Sequence, residues 1–124
     1  MAQLLLTPNI ASAIKALNSS CWFNISGPEP TNETQYKERV VFYTDVTGET
    51  TTTAPLTWAE VKAKYDELNT AHTNQEYARK RRNSYETVGE QLDKLYHDID
   101  DGKLDKTGAW FTSVKTVKDA NPKP

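Results

Sequence analysis

The sequence predicts an α+β chain: an N-terminal helix and a short antiparallel strand pair, followed by a predominantly helical part that ends in a helical hairpin. Two observations carry this reading. Aromatic and β-branched residues cluster in two short runs before residue 45, whereas the later chain repeats its apolar residues at spacings of three and four behind helix-start signals. The break between the two patterns falls in Asp45 to Pro55, a stretch dominated by threonine. Three parts are therefore expected: an α/β portion over 1–44, a Thr-rich linker or edge strand over 45–56, and a helical portion over 57–124.

The first helix is expected over Pro8 to Leu17, with Thr7 as N-cap and Pro8 at the first helical position, where a missing amide costs nothing. Ile10, Ala13, Ile14 and Leu17 then share one side. Cys21 to Ser26 reads as a strand closed by the rigid turn Gly27-Pro28-Glu29-Pro30, and Tyr36 to Thr44 reads as its antiparallel partner. Such a pair is marginal in water unless a helix or another chain covers its apolar face. The Asp45 to Pro55 stretch lacks apolar alternation, so it is either a linker or an exposed edge strand.

Thr57 and Glu60 form a capping box, in which the hydroxyl and the carboxylate satisfy each other's backbone amides. The helix they open is expected to continue to about Arg82. Its apolar stripe of Trp58, Val61, Tyr65 and Leu68 gives way to His72, Gln75 and Arg79 in register, so the second half should be solvated or should face polar groups. A second capping box, Thr87 with Glu90, opens a helix within Tyr85 to Asp101 that carries Val88, Leu92, Leu95 and Ile99 on one face and stops at Gly102. A last helix is expected over Thr107 to Ala120, with Trp110, Phe111, Val114 and Val117 as its apolar face. Asn121-Pro122 ends it, because the residue before a proline avoids the helical region. These two helices should form an antiparallel hairpin whose apolar faces meet. Trp58, Tyr65, Leu68, Tyr85, Val88, Leu92, Leu95, Tyr96, Trp110, Phe111, Val114 and Val117 are thus assigned to a hairpin core or to an interface.

At 124 residues, 36% hydrophobic, the chain can bury one core of modest size. Three Trp and six Tyr argue against disorder and place much of the burial on large rings, partly against a partner chain. Fifteen basic and 17 acidic residues leave a net charge of −2, so no overall field draws the chain to nucleic acid or an anionic membrane. The single cysteine, Cys21, fits a reducing compartment. The opening residues lack a basic leader and a long apolar run, and no segment approaches the ~18 apolar residues of a membrane span, so a soluble chain without a leader peptide is expected.

Each candidate site has a plain structural alternative. The acidic loop His97 to Asp105 invites a calcium reading, but placing Gly102 at the sixth position of an EF-hand puts Ile99 third and His97 first, where oxygen ligands are needed. A solvated turn is the better reading. His72, His97 and Cys21 have no partners at zinc spacing, and Cys21 beside Trp22 and Phe23 reads as a small core residue. Arg79, Lys80, Arg81 and Arg82 sit at a helix C-terminus, where the macrodipole favours positive charge; a basic interface for a protein is the alternative, and nearby acids with no interleaved aromatic residue argue against nucleic acid. The Asn-x-Ser/Thr triplets at Asn18, Asn24 and Asn32 are chance in a chain without a leader. No phosphate loop, dinucleotide fingerprint or nucleophile elbow is present, so no cofactor is expected and an enzyme is the least supported class.

The C-terminal third carries a resemblance. Arg81-Arg82, Tyr85, Gly89-Glu90-Gln91-Leu92-Asp93, Leu95-Tyr96-His97-Asp98-Ile99-Asp100, Leu104-Asp105-Lys106-Thr107-Gly108, Trp110-Phe111 and Val117-Lys118-Asp119-Ala120-Asn121-Pro122 together resemble a short segment borne by many small virion proteins of tailed bacteriophages, particularly marine phages of cyanobacteria. It covers about residues 79–124. The pattern usually has a proline where this chain has Glu86 and often a tryptophan where it has Tyr96. The resemblance implies a non-enzymatic structural component of the tail, neck or baseplate, located in the virion, acting as an adaptor or attachment subunit among other virion proteins in a homo- or hetero-oligomer. The alternative is a cytoplasmic assembly chaperone for a tail fibre.

Overall fold

A computed structural model describes residues 6–44, 47–51 and 54–124 of the chain. Its elements are α1 (Ile10–Leu17), β1 (Trp22–Ile25), α2 (Glu33–Arg39), β2 (Val40–Tyr43), α3 (Trp58–Asn74), α4 (Glu76–Ser84), α5 (Val88–Asp100) and α6 (Ala109–Ala120). This is the α+β arrangement the sequence predicts. The chain forms two compact units, Met1–Thr73 and Asn74–Pro124.

In the first unit, β1 and β2 pair antiparallel with Phe23 opposite Phe42 and Ile25 opposite Val40. Ile10, Ala13, Ile14, Cys21, Tyr36, Val40, Phe42 and Val61 are buried together, and Leu56, Trp58, Tyr65 and Leu68 pack against them. The rings of Tyr36 and Trp58 lie 5.6 Å apart, and the Tyr36 hydroxyl donates to the Leu56 carbonyl at 2.8 Å. Because Leu56 and Trp58 seal this core, the chain's division does not fall at the joint expected over 45–56. The described part of that joint pairs with the sheet edge: Thr50 bridges Tyr43, and the Thr51 amide donates to the Phe42 carbonyl at 3.0 Å. Asp45, Val46, Thr52 and Thr53 lie outside the described residues.

Several element boundaries differ from the sequence reading, and the first two differ for a capping reason. The N-cap of α1 is Asn9 and not Thr7: the Asn9 side-chain oxygen accepts from the Ser12 amide at 2.7 Å, and the Ser12 hydroxyl accepts from the Asn9 amide at 3.3 Å. Tyr36 to Arg39 are helical and not strand. Asn32 caps α2 by accepting from the Gln35 amide at 2.9 Å, Lys37 pairs with Glu33 at 2.7 Å one turn away, and this short helix, once started, swings Tyr36 into the core before β2 begins. The helix expected over Trp58 to about Arg82 is two helices, with Gln75 between them at φ −95° and ψ 1°. The break comes about two turns after Leu68, the last apolar residue of the stripe, where no core packing remains to support the helix.

The second unit comprises α4, α5 and α6, with α6 packed on both of the others. Thr87 and Glu90 form the expected capping box, the Glu90 carboxylate accepting from the Thr87 amide at 3.1 Å. The end of α5 is a Schellman motif: the Lys103 amide donates to the Asp98 carbonyl at 2.7 Å and the Gly102 amide to that of Ile99 at 3.1 Å, with Gly102 at φ +70°. The last helix begins at Ala109 and not at Thr107, whose amide and hydroxyl are instead held by the Asp105 carboxylate at 2.7 and 2.6 Å.

Candidate interaction face

The second unit is organised by one buried carboxylate. The N-cap position of α6 is Gly108, which has no side chain to offer the first amides of the helix. Asp98 reaches across from α5 and supplies both oxygens: one accepts from the Ala109 amide at 2.8 Å and the other from the Trp110 amide at 2.8 Å. Asp98 is only 6% exposed. A Cβ at residue 108 would stand 2.6 Å from an Asp98 carboxylate oxygen and 2.5 Å from the Lys103 carbonyl, so the close approach requires glycine. A carboxylate at a helix N-terminus is also the arrangement favoured by the macrodipole.

This contact fixes the rotation of α5, and the rotation turns its apolar stripe outward. Neighbouring residues are about 100° apart around a helix, so pointing Asp98 and Gln91 at α6 points Ile99 and Leu92 away from it. Val88 is 72% exposed, Leu92 59%, Tyr96 65% and Ile99 57%. The expected meeting of Val88, Leu92 and Ile99 with the apolar face of α6 is therefore corrected: of that stripe only Leu95 is half-buried. Across the seam, Phe111, Val114 and Val117 are half-buried, and Trp110 stands at the rim with its indole N–H donating to the Gln91 side chain at 3.4 Å. Among the described residues, the second unit has no fully buried large apolar side chain.

The other sequence-assigned residues are dispersed. Trp58, Tyr65 and Leu68 belong to the first unit's core and take no part in the hairpin. Tyr85 is half-buried and lines a cleft of about 260 Å³ with Gln91, Val114 and Val117. The basic run is split by task. Arg79 pairs with Glu76 at 2.6 Å, and Lys80 reaches the same carboxylate at 3.9 Å. Arg81 lies over the Tyr77 ring at 5.0 Å and donates to the Asn121 and Lys118 carbonyls at 2.8 and 3.2 Å, capping the C-terminus of α6. Arg82 is exposed.

A second cleft, of about 270 Å³, is lined by Asp98, Lys103, Leu104, Asp105, Trp110 and Phe111. Both of its carboxylates are occupied: Asp98 by two amides and Asp105 by Thr107, which holds the Asp105 carboxyl below its usual range. Among the described residues no group of three His, Cys, Asp or Glu side chains converges as a metal site would require. Burial pushes the Cys21 thiol up, with a smaller opposing pull from Lys15, away from the thiolate a nucleophile needs. His97 is exposed, its imidazole 3.7 Å from Asp93 and edge-on to Tyr96.

Asp98, Gly108 and the Arg81 cap lie outside the residues the sequence singles out for these roles. A helix start at a glycine, which offers the first amides no side-chain cap, is the sequence signal that points to Asp98 and Gly108. No helix among the described residues is long and apolar enough to cross a membrane. Comparisons with family models, with curated proteins and with solved structures give no match to this chain.

Proposed function

We propose that the chain is a non-enzymatic structural component of a tailed-phage virion, an adaptor or attachment subunit whose C-terminal unit docks on neighbouring proteins in the tail, neck or baseplate. The observation that carries this reading is the outward apolar stripe of α5, Val88, Leu92, Tyr96 and Ile99, on a unit with no fully buried large apolar side chain of its own among the described residues. A unit of that kind gains stability by covering its stripe with another chain. The phage-like wording of residues 79–124 supports the assignment, since all of it falls within the compact unit Asn74–Pro124, as a transferable attachment segment would. The occupied carboxylates and the raised Cys21 thiol favour binding over catalysis.

Mass spectrometry of gradient-purified particles tests the reading. Virion peptides from this chain, at a stoichiometry fixed from preparation to preparation, are the expected result. Detection in infected-cell extract together with absence from particles would overturn it in favour of an assembly chaperone.

A further inference from the structure

The stripe on α5 has an asymmetric border that limits what can cover it. On one side runs the seam with α6, closed by Gln91, Asp98 and the Trp110 rim. On the other side stand Asp93 and Asp100, seven residues and two turns apart, so they lie one above the other beside Leu92, Tyr96 and Ile99. Asp93 is exposed with the His97 imidazole beside it, at 3.7 Å, and Asp100 is exposed. Lys94, the one lysine of α5, is turned away and pairs with Glu86. Glu90 is engaged with Thr87 and keeps its negative charge, because those hydrogen bonds hold its carboxyl below the usual range.

We infer that this face binds an amphipathic helix of a partner protein that carries Lys or Arg along the edge of its own apolar stripe. The inference rests on the interaction-subunit reading and names the chemistry of its partner. Apolar residues at i, i+3 or i+4 and i+7 of such a helix cover Val88, Leu92, Tyr96 and Ile99, and its basic edge meets Asp93 and Asp100. Charge decides between occupants. A second copy of α5 laid antiparallel on the same stripe brings the Asp93 and Asp100 edges of the two copies together. A parallel copy sets that edge against the α6 seam, where Gln91, Asp98 and the Trp110 rim offer it no basic residue, and an anionic lipid surface is repelled by it.

The test uses the full chain and two synthetic helical peptides with the same leucine stripe, one flanked by Lys and one by Glu, followed by fluorescence anisotropy. The Lys peptide binds at least tenfold more tightly than the Glu peptide. Its binding weakens as salt rises from 50 to 500 mM, values chosen to span about a threefold change in screening length. Leu92→Ser with Ile99→Ser abolishes binding of the Lys peptide, and Asp93→Lys with Asp100→Lys reverses the preference between peptides; far-ultraviolet circular dichroism confirms that both variants stay helical. Equal affinity for the two peptides, or no binding of either, overturns the inference. A concentration-dependent dimer in sedimentation that disappears in the Leu92→Ser, Ile99→Ser variant also overturns it, by making the occupant a second copy. Presence of the chain in purified particles together with failed peptide binding rejects the basic helix while leaving the virion reading intact; absence from particles with successful binding does the reverse.

Discussion

Two buried polar groups show how single residues set this structure. Asp98 satisfies two amides of α6 at once, so Asp98→Ala leaves both without partners at a site water reaches poorly, and we expect a loss of about 2–3 kcal/mol in urea unfolding of the chain. Asp98→Asn can accept through only one oxygen and should fall between the two. Gly108→Ala should destabilise through the Lys103 carbonyl 2.5 Å from the added carbon, a rigid backbone atom that cannot swing aside. Tyr36 is the corresponding group in the first unit. Burial, reinforced by Cys21 and Glu60, pushes its hydroxyl up to about 12 from an ordinary 10. The folded state therefore disfavours the phenolate, and its contribution to stability is complete below pH 10 and is lost as pH rises from 10 toward 12. Tyr36→Phe should cost about 1 kcal/mol at neutral pH through the lost bond to Leu56 and should flatten this alkaline limb. On the acid side the sign reverses. Glu60 and Glu90 are held below the usual value of 4.5 by their capping threonines, so their contribution is present above 4.5 and declines as pH falls below it.

Elements in this chain are decided more by their ends than by their middles. Thr57 and Thr87, each followed three residues on by glutamate, mark the starts of α3 and α5 in the sequence and in the structure alike. A capping box in another spelling, Asn9 with Ser12, and the simple Asn32 cap on the Gln35 amide are harder to read, and the misplaced start of α1 and the strand reading of Tyr36 to Arg39 trace to them. Tyr36 is β-favouring by composition but sits one turn inside a capped helix, and the cap prevails. At the other end of the chain, Arg81 holds the last carbonyls of α6. Arg81→Ala should fray that turn, seen as faster amide exchange over residues 117–121, and should cost about 1 kcal/mol. Arg82→Ala, at the exposed neighbouring position, should be silent within about 0.5 kcal/mol.

At the scale of the whole molecule, the first unit's core was legible because it follows the rule that apolar periodicity marks burial: Ile10, Ala13, Ile14 and Val61 are buried where spacing places them. The second unit departs from that rule. Periodicity correctly identifies Val88, Leu92, Leu95 and Ile99 as one face of a helix, yet two long-range hydrogen bonds from the first amides of α6 to Asp98 choose which face turns inward. Such bonds join residues 11 and 12 positions apart and leave no mark in the local pattern. The division of the chain was obscured for a related reason. The threonine-rich stretch looks like a boundary by composition, but the chain beyond it returns to the first core through Leu56 and Trp58, and the division comes at the end of α3, about two turns beyond the last residue of its apolar stripe, Leu68.

The proposed docking role requires the α5 stripe to be surface in the free chain. Urea unfolding of Leu92→Ala measures this directly, because the same substitution has very different costs in a core and on a surface. With Leu92 59% exposed, the expected change is within about 0.5 kcal/mol of the parent chain. A loss of about 2–5 kcal/mol, the cost of emptying a packed core position, would contradict it and return the stripe to the hairpin's interior.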